Sequence, residues 1–320
     1  MPKIVILDGH TSNPGDLSWQ PISQHGPLTV YDRTAPVLGL KRAQDATVLI
    51  VNKYPLTRSL LEQLPQLKLI CTLATGYNNV DIDAASEFGI TVCNAVGYST
   101  PSVAQHVFSL LFTMTNHVSL HNTDVQNSGW ANAPDWCYWA RPMTELAGKT
   151  MGIYGLGKIG QAVGKIARAL GMQVIANRRN MDQPPPGVNY VSFEKLLSDS
   201  DVLSLHAPLS DENEGIIHAR HLALMKPTAF LINTGRGGLV NEPDLKKALT
   251  DNQIAGAGLD VLSQEPPPAD HPLIGVKNCF ITPHHAWATR ESRMRLIQIV
   301  GDNVGAFLQG NPQNVVNGNF

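Results

Sequence analysis

Short apolar runs rich in β-branched residues alternate with helical patterns along most of the chain. In the first third these runs are KIVIL (3–7), ATVLIVN (46–52), LKLICTL (67–73) and GITVCN (89–94). Helical stretches at 57–64 and 81–89 separate the later runs. This order is typical of β–α–β units, whose parallel strands form a sheet covered by helices. The sequence therefore predicts an α/β fold.

The alternation is interrupted once. From about Ser99 to Val125 the pattern predicts one long helix, with Pro101 in its first turn. A segment rich in tryptophan follows at 129–142. Strand candidates then resume as TMGIYGLG, MQVIAN, DVLSLHAP, AFLINTG, IAGAGLDV and CFITP, before a last helix from about Thr289 to Leu308. A chain of 320 residues is long enough for two domains. We expect two doubly wound parallel-sheet domains, Rossmann-like or flavodoxin-like, with a cleft between them.

Composition and charge exclude several classes of protein. A net charge of −2 gives no electrostatic basis for nucleic acid or an anionic membrane as the main partner. No apolar run reaches the length of about 18 residues that predicts a membrane span. The opening KIVILDG is typical of a strand and turn rather than a signal peptide. The four cysteines lie far apart and form no CxxC pair, which favours a reduced protein of the cytoplasm.

Three glycines between an apolar strand and a helix carry the strongest functional signal. Gly155, Gly157 and Gly160 have G-x-G-x-x-G spacing, and the strand MQVIAN follows the helix. The first glycine allows a tight turn, the second lets the backbone approach a pyrophosphate, and the third lets helix and strand pack closely. The pyrophosphate would lie at the helix N-terminus. The alternative is a glycine-rich turn without a ligand, but this setting favours a dinucleotide site.

The end of the next strand bears on the choice of cofactor. An enzyme that uses NAD usually has Asp or Glu there, bound to the ribose 2′-hydroxyl. Here the position is Asn177, followed by Arg178 and Arg179. Two guanidinium groups can bind a 2′-phosphate, which favours NADP or the use of both cofactors. The alternative is a solvated pair of loop arginines.

Three polar residues follow predicted strands in the second half: Arg236, Glu265 and His284. Sheets of this kind bind ligands at the carboxyl ends of their strands. Reduction of a keto acid needs a cation for the carboxylate and carbonyl, a proton donor for the developing alkoxide, and a group that tunes the donor. Taken singly, each could be a surface or core residue. Together with the glycine loop, they predict a catalytic set.

Six longer segments add a resemblance to a known family. They are ATGYNNVDIDAA (74–85), GIYGLGKIG (152–160), HAPLSDENEGII (206–217), MKPTAFLINTGRGGLVNE (225–242), AGLDVLSQEPP (257–267) and TPHHAWAT (282–289). Through them nearly the whole chain resembles the D-isomer-specific 2-hydroxyacid dehydrogenases. The segment around Arg236 is the most specific of the six.

The resemblance implies a role for each site residue. Arg236 orients the substrate, His284 acts as the acid/base with Glu265 as its partner, and the backbone at Thr75 and Gly76 holds the substrate carboxylate. Glu265 favours the protonated form of His284 by charge pairing. His284 then protonates the carbonyl oxygen while the nicotinamide delivers hydride to C2.

The resemblance also implies which domain binds what. Residues 1–98 with 286–320 become the substrate domain, and residues 99–285 the dinucleotide-binding Rossmann domain. The expected dinucleotide contacts are Thr100, Gly155, Leu156, Gly157, Lys158, Ile159, Gly160, Asn177, Arg178, Arg179, His206, Ala207, Pro208, Asn213, Thr234, Gly235, Arg236, Asp260 and His284.

Within the family the chain resembles the glycerate dehydrogenase, or hydroxypyruvate reductase, branch. LDGHTSNPGDLSW (7–19), the ATGYNNVD loop and the HAWAT ending carry this likeness. Trp287, three residues after His284, is expected to line the substrate pocket and narrow it, unless it only packs at the domain joint. Hydroxypyruvate is the first expected substrate, glyoxylate the second, and longer 2-keto acids follow.

Two expectations concern partners and metals. The segment 129–142 contains Trp130, Trp136 and Trp139, and an exposed apolar patch of this kind is typical of an interface. Because the family dimerises through an arm in this region, a homodimer is expected, with an internal cover over the cofactor domain as the alternative. His117 and His121 lie four apart on the predicted helix, but no carboxylate completes a site there. We expect no metal.

A second class of function shares this fold. A dinucleotide-sensing protein of the corepressor type would keep both domains, because fold alone does not determine function. The presence of all three catalytic residues favours an enzyme. Phosphite oxidation would also retain them, so a panel of substrates is needed to separate the two reactions.

Overall fold

In the computed structural model, which describes residues 1–180 and 182–318, the chain divides into two units. One comprises Met1–Ser99 with Ala288–Phe320, and the other comprises Thr100–Trp287. Each unit is built on its own parallel sheet. The predicted fold class, two parallel-sheet α/β units, is thereby confirmed.

The first unit contains a five-stranded sheet of order β2-β1-β3-β4-β5, parallel throughout. Its strands are β1 (Ile4–Ile6), β2 (Leu28–Val30), β3 (Val48–Val51), β4 (Leu69–Thr72) and β5 (Thr91–Cys93). The helices between them are short: α1 (Gln20–Ser23), α2 (Gly39–Ala43), α3 (Arg58–Leu61) and α4 (Ile82–Glu87). Strands β3 and β4 are buried along their whole length. This explains why their sequences are apolar without alternation.

The second unit contains a seven-stranded parallel sheet of order β12-β11-β10-β9-β6-β7-β8. Its strands are β6 (Thr150–Tyr154), β7 (Gln173–Asn177), β8 (Asn189–Tyr190), β9 (Val202–Leu205), β10 (Phe230–Asn233), β11 (Gly256–Leu259) and β12 (Cys279–Ile281). Its helices are α5 (Thr100–Asn116), α6 (Val118–Gln126), α7 (Lys158–Ala169), α8 (Phe193–Asp199), α9 (Ala219–Leu222) and α10 (Glu242–Thr250). Two successive residues of β9, Val202 and Leu203, belong to different core clusters, so both faces of this sheet are covered.

The clearest differences from the sequence prediction concern one helix and two strands. The single helix expected from Ser99 to Val125 is two helices, because His117 adopts a left-handed conformation with φ 51° between them. Strands β2 and β8 lie at sheet edges and were not predicted. Each is only two or three residues long, too short for a reliable pattern.

The last helix, α11 (Arg290–Leu308), belongs to the first unit. Arg293 binds both carboxylate oxygens of Asp16, at 2.7 and 2.8 Å. The Asn303 side chain donates to the Asn94 carbonyl at 2.9 Å. These bonds join the C-terminal helix to N-terminal segments across more than 200 residues of sequence. Among the helices of the described ranges, none contains an apolar stretch that would span a bilayer.

Candidate active site

Five strands of the second unit end at the same edge of the sheet, and the predicted site residues follow directly after them. The glycine loop follows β6, His206 follows β9, Thr234–Arg236 follows β10, Asp260 follows β11 and His284 follows β12. Because all seven strands are parallel, their carboxyl ends meet at one edge. This is the edge at which open α/β sheets bind ligands.

The glycine loop has the geometry that its spacing predicts. Gly155 has φ +93°, and a Cβ there would lie 2.4 Å from the backbone nitrogen of Ala207. A Cβ on Gly160 would lie 2.5 Å from the Gly155 carbonyl oxygen, so helix and loop pack closely. Gly157 caps α7 and has open space where a Cβ would be. The loop therefore combines two tightly packed glycines with one open glycine at the N-terminus of a twelve-residue helix.

Two buried polar atoms in the loops at the same sheet edge lack partners among the described residues. They are Nδ1 of His206 and Oγ1 of Thr234. Nε2 of His206 contacts the Ser204 hydroxyl at 2.8 Å, and burial lowers the pKa of His206 to about 4. The ring is therefore neutral at physiological pH. Unpaired buried polar atoms are costly unless a ligand pairs with them. Together with the open glycine, they fit a bound dinucleotide.

The turn that carries Arg236 is shaped by Asn233. The Asn233 amide accepts from Gly235 N at 3.0 Å and donates to the Arg236 carbonyl at 2.8 Å. Arg236 Nη1 donates to the Gly235 carbonyl at 2.8 Å, which leaves the other guanidinium donors of this group for a ligand. A Cβ on Gly237 would lie 1.9 Å from the carbonyl carbon of Leu262. The Arg236 turn is thereby packed against the segment that leads to Glu265.

Glu265 and His284 form a close pair. Glu265 Oε2 lies 2.6 Å from His284 Nδ1, and both side chains are about one-third exposed. Glu265 Oε1 accepts from Leu262 N at 3.1 Å. An ionised carboxylate only accepts hydrogen bonds, so Nδ1 of His284 donates and Nε2 is left for a substrate. This is the arrangement of an acid/base histidine held by a carboxylate.

The segment that carries His284 is held by Asp260, which is 1% exposed. Asp260 accepts hydrogen bonds from the Thr282 hydroxyl at 2.6 Å, His285 N at 3.0 Å and Ala286 N at 2.9 Å. Its own carbonyl accepts from His284 N at 2.8 Å. The buried carboxylate therefore fixes the course of the backbone on both sides of His284.

The other dinucleotide candidates lie along the same edge or beside it. Asn213 closes the loop after β9, accepting from Ser210 N and donating to the Pro208 carbonyl, each at 2.8 Å. Thr100 begins α5, and Trp287 is the last residue of the second unit. Leu156 is buried in the core beneath the glycine loop. Of the remaining candidates, Lys158 and Ile159 begin α7 and Ala207 lies in the loop after β9.

The three residues of the predicted 2′-phosphate site, at the end of β7 and just after it, have different contacts. Asn177 donates to the Val191 carbonyl at 2.9 Å. Arg178 lines an open groove with Asn180, Asp182, Gln183 and Tyr190. Arg179 is paired at 3.3 Å with Glu212, and both side chains are more than four-fifths exposed. Of the two arginines, Arg178 is the one that faces a recess.

Thr75 and Gly76 belong to the first unit, in the loop after β4. The Thr75 hydroxyl donates to the Ala95 carbonyl at 2.7 Å, and Asn94 donates to the Thr75 carbonyl at 2.8 Å. A second anchor starts at Asp8, whose carboxylate accepts from the backbone N–H groups of residues 52–54 at 2.6–2.7 Å. Asn52 in turn donates to the Leu73 carbonyl at 2.8 Å. The loop therefore follows a fixed course.

Comparison with known proteins agrees with this geometry. Residues 108–286 match the family model described as "D-isomer specific 2-hydroxyacid dehydrogenase, NAD binding domain". The chain belongs to the D-isomer specific 2-hydroxyacid dehydrogenase family. It is thus an oxidoreductase of 2-keto and 2-hydroxy acids, as its sequence predicted.

Three relatives of this dehydrogenase are informative. A hydroxypyruvate reductase of Blautia hydrogenotrophica is 47% identical over 98% of this chain and 99% of that protein. A glycerate dehydrogenase of Methylorubrum extorquens is 42% identical over 87% of each chain. A solved acyclic imino acid reductase in complex with NADPH and D-Arg has a TM-score of 0.86 and 32% identity, over 98% of this chain and 99% of that chain.

One cluster of the dehydrogenase was missed at the level of sequence. The ligand atoms of His106, Asp260 and His285 lie within 4.8 Å of one another, a spacing that could hold a metal ion. The Thr282 hydroxyl lies between them, 2.9 Å from His106 Nε2 and 2.6 Å from Asp260. Burial lowers the pKa of His106, the Asp260 charge opposes this, and His285 lowers it further. Because Asp260 already accepts three hydrogen bonds, we interpret the cluster as a hydrogen-bond network that supports the His284 segment.

Proposed function

We propose that this dehydrogenase uses NADP(H) or NAD(H) to interconvert hydroxypyruvate and D-glycerate, with glyoxylate as a second substrate. The observation that carries the proposal is the 2.6 Å pair of Glu265 and His284 at the sheet edge that also holds the glycine loop. The names of the two curated relatives support the choice of acid. Trp287, next to the His284 segment, is proposed to limit the length of the substrate.

The two units are proposed to bind different ligands, one the dinucleotide and the other the substrate. Thr100–Trp287 binds the dinucleotide, with the pyrophosphate at Gly157 and the N-terminus of α7. His206 and Thr234 supply the buried polar atoms that the ligand pairs with. Met1–Ser99 with Ala288–Phe320 binds the substrate carboxylate through the backbone at Thr75 and Gly76.

The proposed chemistry divides between three side chains. When bound, the nicotinamide supplies the hydride that adds to C2 of the keto acid. His284 gives the proton on Nε2 to the keto oxygen, while its Nδ1 remains bonded to Glu265. Glu265 stabilises the positive charge of the imidazolium and fixes the ring. Arg236 binds the carboxylate and polarises the carbonyl with the guanidinium donors that Gly235 does not use.

The groove beside Arg178 supports a preference for NADP. At the end of β7 the chain has Asn177, where an enzyme that uses NAD usually has an acidic residue. The Asn177 amide donates a hydrogen bond to the Val191 carbonyl. Arg178 faces the groove, whereas Arg179 is paired with Glu212. Asp182 lines the same groove and opposes an added phosphate. We therefore propose a preference for NADPH that is moderate rather than absolute.

Initial rates test the proposal directly. Hydroxypyruvate, glyoxylate, pyruvate, phenylpyruvate and phosphite are each assayed with the reduced or oxidised form of both dinucleotides. The expected order of kcat/KM places hydroxypyruvate first and phenylpyruvate last. His284→Ala is expected to lower kcat by roughly 100-fold or more, with little change in dinucleotide Kd. Tight dinucleotide binding without turnover of any acid would instead favour a sensing protein, and turnover of phosphite alone would favour phosphite oxidation.

A further inference from the structure

A second buried carboxylate, Glu242, binds the loop that contains Glu265. Glu242 begins α10 and is 7% exposed. Its Oε1 accepts from Ser263 N at 2.7 Å, and its Oε2 accepts from the Ser263 hydroxyl at 2.5 Å and from His271 Nε2 at 3.1 Å. His271 is itself buried, at 6% exposure. One carboxylate therefore binds three donors from two residues, and no part of the proposed mechanism uses it.

The donors mark the two ends of one loop. Residues 263–271 lie between them, and Glu265 is the third residue of this loop. Three consecutive prolines, residues 266–268, follow Glu265. They restrict the backbone of the loop but donate no hydrogen bonds, so contacts at the ends of the loop attach it to the neighbouring elements. Glu242 supplies contacts at both ends with a single side chain.

The histidine of this cluster has a defined tautomer. His271 Nδ1 accepts a long hydrogen bond, 3.4 Å, from Leu273 N. The proton of the neutral ring is therefore on Nε2, which donates to Glu242. His271 donates this bond from Nε2, so the contact with Glu242 requires no charge on the histidine.

We propose that Glu242 and His271 are positioning residues, which hold the 263–271 loop so that Glu265 meets His284. The inference rests on the proposed catalytic roles of Glu265 and His284. Glu242 also follows the Arg236 turn directly in the chain, and Gly237 packs against the backbone of Leu262. The same carboxylate thus ties the start of the Glu265 loop to the element that follows Arg236.

A double-mutant cycle tests the positioning role. Glu265→Gln is expected to lower kcat/KM for keto-acid reduction by about 100-fold or more. Glu242→Gln is expected to lower it by roughly 10-fold, the cost of one misplaced charged hydrogen bond. Both changes should move the alkaline fall of kcat/KM to lower pH, because reduction uses protonated His284 and each change weakens its charge partner. In the Glu265→Gln background, Glu242→Gln should change kcat/KM by less than about 2-fold.

Two further variants complete the design. Asp244→Asn removes a carboxylate from the same turn of α10, where it accepts from Ala219 N at 2.9 Å and does not contact the loop. It should leave kcat/KM and its pH profile unchanged. Ser263→Ala removes only the hydroxyl contact to Glu242, and it provides the measurement if Glu242→Gln does not fold. It should shift the pH profile in the same direction as Glu242→Gln, by a smaller amount.

The outcomes separate the inference from the function on which it rests. An equal loss for Glu242→Gln in both backgrounds, with an unmoved pH profile, makes Glu242 a structural residue and overturns the inference alone. An unmoved profile for Ser263→Ala has the same meaning where that variant replaces Glu242→Gln. Full activity of Glu265→Gln with an unmoved profile overturns the proposed catalytic pair itself.

Discussion

His284 has a backbone conformation that is unfavourable for a residue with a side chain. Its φ is 51°, in the left-handed region, which typically costs about 1–3 kcal/mol outside glycine. Hydrogen bonds to Asp260 from the backbone N–H groups of His284 and of the two residues after it offset this cost. Strain of this kind persists where the surrounding structure imposes it, and it is common at functional sites. At this residue it aims the imidazole toward Glu265.

At the same scale, the two arginines after β7 are expected to differ in their effect on cofactor choice. Arg178→Ala should lower kcat/KM for NADPH by roughly 10- to 100-fold, because a charged hydrogen bond to the 2′-phosphate is lost. The value for NADH should change little. Initial rates with both dinucleotides measure the ratio.

Arg179→Ala is the matched control. It removes the same charge one residue away, from a side chain that is exposed and paired with Glu212. A screened surface pair contributes little, so the NADPH/NADH ratio should change by less than about 3-fold. Equal effects of the two substitutions would show that the arginines act only as general positive charge.

A site residue could be predicted from the sequence where a motif or a preceding strand marks its position in the chain. The glycines and the residues after strands have fixed neighbours in the chain, and sequence alone selected Glu265 and His284, which the structure brings within 2.6 Å. Asp260 was expected to contact the dinucleotide, but its hydrogen bonds to residues 282–286 could not be read from spacing. The contact between Glu242 and His271 spans 29 residues and has no sequence signature.

At the scale of elements, the Arg236 turn and the Glu265 segment meet at Gly237. Gly237→Ala would place a methyl group on the Leu262 backbone, which cannot move without displacing Glu265. We expect a loss of about 1–3 kcal/mol in the free energy of unfolding, with a lower kcat. Thermal unfolding and steady-state kinetics measure both.

The neighbouring glycine provides the comparison for this substitution. A Cβ on Gly238 would lie 2.9 Å from the end of the Leu209 side chain, which is 42% exposed and has room to change its rotamer. Gly238→Ala should therefore be tolerated much better. A smaller loss of stability for Gly237→Ala than for Gly238→Ala would contradict the close backbone contact.

An ion pair between Arg293 of α11 and Asp16 joins the C-terminal helix to the N-terminal part of the first unit, and its contribution to stability should depend on pH. The hydrogen bond from Arg293 holds the pKa of Asp16 below its ordinary value of 3.8. Because the pKa of Asp16 is lower in the folded than in the unfolded protein, the ion pair stabilises the fold at pH values above the unfolded-state pKa. This stabilisation is lost as the pH falls through the folded-state pKa. Asp16→Asn should lower the Tm at neutral pH, and the difference from wild type should shrink as the solution becomes more acidic than about pH 4.

Asp45→Asn is a suitable control for that measurement, because Asp45 forms an exposed pair with Lys3 at 2.8 Å. Exposed pairs contribute little, so its Tm should stay close to that of wild type. A difference between wild type and Asp16→Asn that grows on acidification would contradict the role of the charged pair.

The elements themselves were predicted where periodicity and length were sufficient. Of the twelve strands in the described ranges, ten fall within the predicted runs, because parallel strands buried on both faces are continuous apolar segments. The break at His117 was missed because neither glycine nor proline marks it.

At the scale of the whole molecule, the segment 129–142 remains largely uncovered in the described chain. Trp130, Trp136 and Trp139 are 54%, 86% and 63% exposed, which contradicts the alternative of an internal cover. Trp130 Nε1 donates to the Trp136 carbonyl at 3.0 Å, and the Tyr138 hydroxyl bonds to Asp124. The segment is thus held by its own hydrogen bonds while its indole rings face outward. The preceding helix α6 has no buried residue.

A surface of this kind is expected to be buried against a second copy of the chain, since monomers rarely expose a large apolar patch. A closed two-fold dimer uses the same surface on both subunits, so one substitution weakens both halves of the interface. Trp136→Glu should shift the mass measured by light scattering at micromolar concentration from twice 34.7 kDa toward 34.7 kDa. Val37→Glu changes an 88% exposed apolar residue of the other unit in the same way and should leave the dimer intact.

Because the catalytic candidates Arg236, Glu265 and His284 all belong to one chain, a monomeric variant that retains its turnover would show that the interface serves stability rather than catalysis. A wild-type mass of 34.7 kDa under these conditions would rule the dimer out.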